Sequence, residues 1–186
     1  MLHEIERLNQ INNKSRMLAG YCWEWPTAGR TNVKNKEIII SEFNFEISWN
    51  LSDSIWAIDQ NSVNQAGCIH TAQGLEFDYV GVIIGPDIRF ENGKVITDYN
   101  KRAKTDQSLK GIKTLANPEK AKGVADQIIC NTYRTLMTRG QKGCFVFCTD
   151  LELNNYFKKR FEKSNSYYIL PQGKVSEVAY DIISYK

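Results

Sequence analysis

Two short stretches of this sequence gather residue types suited to handling an anion. In the first, His70-Thr71-Ala72-Gln73-Gly74-Leu75-Glu76-Phe77, polar side chains lead into a glycine turn, and the apolar run YVGVII follows soon after. A glycine turn exposes backbone N–H groups, which bind anions when nothing else pairs them. Glu76 projects from the same turn. In the second, Tyr133-Arg134-Thr135-Leu136-Met137-Thr138-Arg139-Gly140, an arginine ends an amphipathic segment just before the apolar run CFVFC. A guanidinium held at a sheet edge can reach a phosphate on a neighbouring domain through its planar fork of donors. Each residue also has a plainer role open to it. Arg139 could complement the negative end of its helix, Glu76 could be a surface charge, His70 a satisfied core histidine, and Lys142 a solvated lysine.

Other chemistries are excluded. There is no G-x-x-x-x-G-K-S/T to cradle phosphates, no G-x-G-x-x-G and no G-x-S-x-G elbow. With only His3 and His70, a multi-histidine metal site cannot be built, and no metal is expected. Five cysteines, an odd number without a C-x-x-C pair, read as reduced and buried: Cys22, Cys68, Cys130, Cys144 and Cys148. The net charge of +3 is too small to require a nucleic-acid partner. Its distribution is more telling: seven basic residues lie from Lys101 to Lys122 against Asp106 and Glu119. They could touch phosphate or form a solvated loop. Trp23, Trp25, Trp49 and Trp56 could stack bases, or fill core and interface. No stretch is apolar enough to span a membrane, and the charged start, MLHEIERLNQ, is no secretory signal, so the cytoplasm is the expected compartment.

The elements that must position these residues follow from periodicity. Residues 1–14 read as a short helix or tail, and 17–23 as a strand. Ile38–Ile40 and 43–49 are β-rich, with Phe43, Phe45, Ile47 and Trp49 alternating. Residues 68–71 read as the end of a short strand. The run 79–84 is a strand buried on both faces. Asn92-Gly93 between two short runs predicts a type I′ hairpin. The basic, aperiodic stretch 98–116 reads as a mobile loop. Asn117, Pro118 and Glu119 open a helix with Ala121, Val124, Ala125, Ile128, Ile129, Thr132, Tyr133 and Leu136 on its buried face, and Gly140 would stop it. Residues 144–148 form a second central strand, and Asp150 caps a helix to about residue 163. Strands alternating with helices predict an α/β domain with a mostly parallel sheet. Ligands in such sheets bind beyond the carboxyl ends of the strands, which directs attention to the loop after 68–71 and the turn at Arg139.

The two stretches, in this order, resemble motifs V and VI of superfamily 1 helicases. Motif V has a histidine followed by lysine- or glutamine-glycine-x-glutamate-phenylalanine, and motif VI has threonine-arginine-alanine after an aromatic helix. Gly140 stands where helicases usually carry alanine. The chain is similar to a bacterial family of Schlafen-related DNA/RNA helicase-like ATPases, through LAGYCW at 18–23 and NQAGCIHTAQGLEFDYVGVIIGPD at 64–87. The resemblance covers about 15–163 and implies a three-layer RecA-like domain of the P-loop NTPase fold, the second helicase domain, with no P-loop of its own. By resemblance, residues 1–14 are a tail or short helix, 15–163 the RecA-like domain with a basic loop at 98–116, and 164–186 an extension. It implies that Arg139 approaches the γ-phosphate of ATP, and that Gly74 and Glu76 contact its phosphates or ribose. His70 and Thr71 would face single-stranded DNA or RNA, with Gln73 coupling the two contacts. ATP and Mg²⁺ would be held mainly by an N-terminal RecA-like ATPase domain as partner, and this chain alone would not hydrolyse ATP. The alternative is a non-catalytic module that binds nucleic acid or protein.

Overall fold

The computed structural model describes residues 1–24, 34–49, 56–112 and 117–163, with the backbone of 164–165 and 182–183. Helix α1 (Leu2–Asn12) ends on Asn13 in the left-handed conformation, which a short amide side chain tolerates. Strand β1 (Ser15–Ala19) follows, buried at every position. Next come β2 (Ile38–Ile40), β3 (Phe45–Trp49), β4 (Gln65–Gly67) and β5 (Phe77–Ile84). The hairpin β6 (Ile88–Glu91) and β7 (Lys94–Thr97) turns on Asn92 and Gly93, whose φ values of 52° and 77° are the two positive angles a type I′ turn requires. Helix α2 (Pro118–Met137), β8 (Gly140–Cys148), α3 (Leu151–Asn165) and β9 (Ile182–Ile183) complete the order.

Among the described residues the main sheet runs β2-β3-β4-β1-β5-β8-β9. Its inner pairings, β3 with β4, β4 with β1, β1 with β5 and β5 with β8, are all parallel. Antiparallel strands, β2 and β9, close the two edges. The domain is therefore α/β with a mostly parallel sheet, as a RecA-like fold requires. Alternation along the strands divides the core in two. Met17, Ala19, Ile83 and Phe145 face α1, whose Ile5 is fully buried. Leu18, Val80, Val82, Cys144 and Cys148 face Ile129, Tyr133 and Leu136 of α2 and Leu153 of α3. Cys144 and Cys148 share one face as their even spacing predicts, and burial pushes each thiol up to about 12.

Several expectations need correction. The first strand stops at Ala19, so Tyr21 to Trp23 lie beyond its carboxyl end. The strand expected at 68–71 lies three residues earlier, and 69–74 is a turn. Gly140 does not stop α2 but opens β8, because Thr138 ends the helix and the chain turns at once into the sheet. Cys130 is exposed on α2, whereas Cys68, Cys144 and Cys148 are buried. Trp49 and Trp56 are core residues, Trp23 is half-buried against the α1-side core, and Trp25 lies outside the described residues. The 98–112 stretch packs on the body of the domain, with Arg102, Ala103, Asp106 and Ile112 buried. Residues 113–116 and the tail at 166–181 and 184–186 lie outside the described residues. No helix among the described residues is long and apolar enough to cross a membrane.

Candidate functional site

The two polar stretches meet at the amino edge of the sheet. Phe77 and Gly140 are paired in β5 and β8, so Glu76 and Arg139 each sit one residue before that pair. Four contacts hold the junction. The Phe77 N–H donates to Arg139 O at 2.9 Å, and the Arg139 N–H donates to Leu136 O at 3.2 Å. The guanidinium donates through Nη1 to Leu75 O and through Nε to Thr135 O, both at 3.3 Å. Arg139 is half-buried and thus serves its own helix terminus, as the plainer reading holds. Among the described residues two of its five N–H donors are used, which leaves three.

This placement corrects the expectation that the Arg139 turn lies beyond the carboxyl ends of the strands. Arg139 precedes β8, so it stands at the opposite edge from the loop that follows β4.

The turn itself is largely self-satisfied. The N–H groups of Ala72, Gln73 and Leu75 donate to Cys68 O, His70 O and Ala72 O. Among the described residues only the N–H groups of Gly74 and Glu76 remain unpaired in 72–76, so the expected anion-binding array narrows to two. Gly74 has φ +73°, and nothing lies within 4 Å of where a Cβ would sit, so the backbone there is open to a neighbour. The Glu76 carboxylate is exposed and has no partner among the described residues. Beside this pair, Lys142 Nζ and Asn12 Nδ2 both donate to Asp78 at 2.7 Å, and the Lys142 hydrogen bond holds Asp78 below the usual carboxylate range.

Thr71 and His70 stand at the other edge. The Thr71 hydroxyl accepts from Cys68 N at 2.7 Å and donates to Cys68 O at 3.0 Å, which locks the turn after β4. His70 is exposed, its ring edge-on to Tyr21 at 6.0 Å, and Tyr21 in turn meets Trp49 at 4.7 Å. Gln73 is exposed between the two edges, its side chain without a partner among the described residues.

A buried polar cluster at the carboxyl edge was not foreseen from the sequence. Tyr133 Oη donates to Asp87 Oδ1 at 2.5 Å and accepts from Gly85 N at 3.0 Å. Arg102 Nη1 reaches Asp87 Oδ2 at 3.1 Å, while its Nε and Nη2 reach Asp106 Oδ2 at 2.7 and 2.6 Å. Ser108 supplies N–H and hydroxyl to Asp106 Oδ1. Every oxygen of the two carboxylates therefore has a donor, the condition under which buried charge is tolerated. Burial, reinforced by Cys22 and Asp87, pushes the Tyr133 phenol far above its ordinary range. Burial likewise drives the Cys22 thiol well up. A Cβ on Gly20 would lie 2.0 Å from Tyr133 Oη, so only glycine lets the tyrosine reach the strand ends. The available signal was Gly85-Pro86-Asp87, an acid placed directly after a buried strand. Among the described residues no cluster of histidine, cysteine or carboxylates could hold a metal.

Comparison with known proteins places the chain in a family. The family model described as Schlafen group 3, DNA/RNA helicase domain, matches residues 1–150. The uncharacterized protein YPL245W of Saccharomyces cerevisiae is 27% identical over 157 residues, which is 82% of this chain and 33% of that protein. The chain thus spans about a third of the length of that relative. No solved structure matches.

Proposed function

The chain belongs to the Schlafen group 3 DNA/RNA helicase domain family, and from that premise we propose that it is the second RecA-like half of a nucleic-acid-dependent ATPase. The observation that carries this reading is the junction at the amino edge. There the motif V turn and the motif VI arginine are joined backbone to backbone and through Arg139 Nη1 to Leu75 O. Among the described residues, the remaining donors of Arg139, the unpaired N–H groups of Gly74 and Glu76, and the unpartnered Glu76 carboxylate form a half-site. It has donors for a phosphate and an acceptor for a ribose hydroxyl or a hydrated cation. These residues fit one flank of a nucleoside triphosphate and lack a cradle for the rest, so an N-terminal RecA-like domain would hold ATP and Mg²⁺. Bound ATP supplies the phosphoryl group whose cleavage drives the cycle.

On this reading Arg139 stabilises negative charge that develops on the transferred group. Its anchorage to Thr135 and Leu75 sets the guanidinium in place beforehand, which is what electrostatic stabilisation requires. Gly74 lets the turn approach the neighbouring domain. His70 and Thr71 contact the nucleic-acid strand at the other edge, and Gln73, in the segment that joins the edges, couples the two contacts. The isolated chain should show no ATP turnover, and turnover by a contaminant-free preparation would overturn the reading.

The decisive test uses this domain together with the one that carries the phosphate-binding loop. Arg139→Ala is expected to cut turnover by at least ~10²-fold, within the range that arginine fingers contribute. ATP affinity should fall less. Arg139→Lys should not restore turnover, since an ammonium lacks the two-pronged geometry. Near-normal turnover in a folded Arg139→Ala protein would leave helix capping as the whole role of this residue, and the domain as a binding module.

A further inference from the structure

In a parallel sheet the ligand crevice opens where neighbouring strands send their connections in opposite directions. In this sheet that point lies between β1 and β5, because β2, β3 and β4 stand on one side of β1 while β8 stands beyond β5. The chain fills the crevice with its own 98–112 segment. Ala103 N donates to Tyr21 O at 2.8 Å beyond β1, and Arg102 pairs with Asp87 beyond β5. Lys104 N donates to Glu24 Oε1 at 2.8 Å. Two short 3₁₀ turns, Tyr99–Lys101 and Gln107–Leu109, are capped by Asp98 and Asp106. A segment that reads as a loop is thereby held as a ledge over the carboxyl edge.

The inner side of the ledge is Arg102, Ala103, Asp106 and Ile112. Its basic residue there is neutralised by two carboxylates. Outward it presents Lys101, Lys104 and Lys110, all exposed, and none has an acidic partner among the described residues. Glu24 uses one carboxylate oxygen on the Lys104 backbone. Beyond β1, Tyr21 links the ledge to the exposed His70 ring. Cations on a fixed support lose less freedom on binding a polyanion than cations on a loose loop.

We propose that residues 98–112 form a preset phosphate-binding ledge for single-stranded nucleic acid, with Lys101, Lys104 and Lys110 contacting the backbone of a strand that continues past His70. This rests on the strand-binding part of the proposed function and adds where the strand runs. The ledge reads charge and spacing rather than base identity, so DNA and RNA strands should both engage it. The buried Asp87–Arg102–Asp106 cluster is then a positioning device, which keeps three lysines in place without spending their charge internally.

The test is fluorescence anisotropy of the whole chain with labelled oligothymidylate and oligouridylate, titrated at several salt concentrations. The Lys101→Ala, Lys104→Ala, Lys110→Ala triple variant should lose at least about tenfold in affinity. Its salt slope should flatten by about 2, as expected for three lost contacts to a single strand. The matching triple arginine variant should keep both. A control with Lys158→Ala, Lys159→Ala and Arg160→Ala on α3 removes equal charge elsewhere and should change little. Melting temperatures verify folding, since exposed lysines are usually silent for stability. If wild type binds and the ledge variant binds equally well, the ledge is overturned while strand binding stands. The ledge is likewise overturned if the α3 control loses as much, or if polyglutamate binds as tightly as the oligonucleotides. If wild type binds neither oligonucleotide, strand binding itself falls, and the ledge with it.

Discussion

The two edges of the sheet solve opposite problems. At the carboxyl edge Asp87, Arg102, Asp106 and Tyr133 are sealed from water, and each charged or polar atom of the carboxylates is matched by a donor. At the amino edge, among the described residues, Arg139 keeps three free N–H donors, and Glu76 keeps an unpartnered, exposed carboxylate. A saturated cluster has nothing left to offer a ligand, so it acts on shape. An unsaturated one in contact with water can exchange solvent for a ligand at little cost. Charge alone would have ranked the buried arginine first as a site. Counting unused donors reverses that order.

That contrast can be broken where it is strongest. Arg102→Ala leaves Asp87 and Asp106 buried without their cation and should cost about 3–5 kcal/mol in urea unfolding. A loss below about 1 kcal/mol would mean that water already reaches the cluster. Tyr133→Phe keeps the ring and removes the hydroxyl, so Gly85 N and Asp87 Oδ1 each lose a partner. The expected loss is about 1–3 kcal/mol, with the fold intact by circular dichroism. An unchanged midpoint would show that the hydroxyl is dispensable to the clamp.

The amino edge should respond weakly to the same treatment. The Asp78–Lys142 pair is exposed on the lysine side, and solvent screens it. Asp78 has a folded-state pKa below its ordinary 3.8, so its contribution is present above that pH. It is lost as pH falls from 3.8 through the folded-state value. Asp78→Asn should therefore lower the melting temperature slightly at neutral pH, and the gap from wild type should close in acid. A gap that persists unchanged well below pH 3.8 would place the effect on the Asn12 contact or on packing, not on charge.

Much of this fold was legible because the signals were local. Asn92-Gly93 admits few turns other than the one observed, Asn117-Pro118 opens α2 at the expected residue, and Asp150 accepts from Leu153 N to start α3. The run 79–84 is apolar on both faces because α1 and α2 cover both faces. The meeting of the 72–76 turn with Arg139 was not legible, since it depends on the pairing of the two strands that each immediately precedes. The anchors of the 98–112 segment were not legible for a physical reason. They are single residues, Arg102, Ala103 and Ile112, and each is met by a different element, so no period betrays them.

The sequence by itself determined the elements, their alternation and the order of the two motifs, because helix caps, turn angles and strand burial depend on neighbours a few residues away. Only the tertiary structure decided which edge each motif faces, since direction relative to a sheet is a property of the assembled strands. It alone decided, too, that Arg102 is buried and Lys101 and Lys104 are not. The residue types are nearly equivalent in solution, and what separates them is two carboxylates, Asp87 fifteen residues earlier and Asp106 four residues later, brought to one point by the ends of β5 and the ledge.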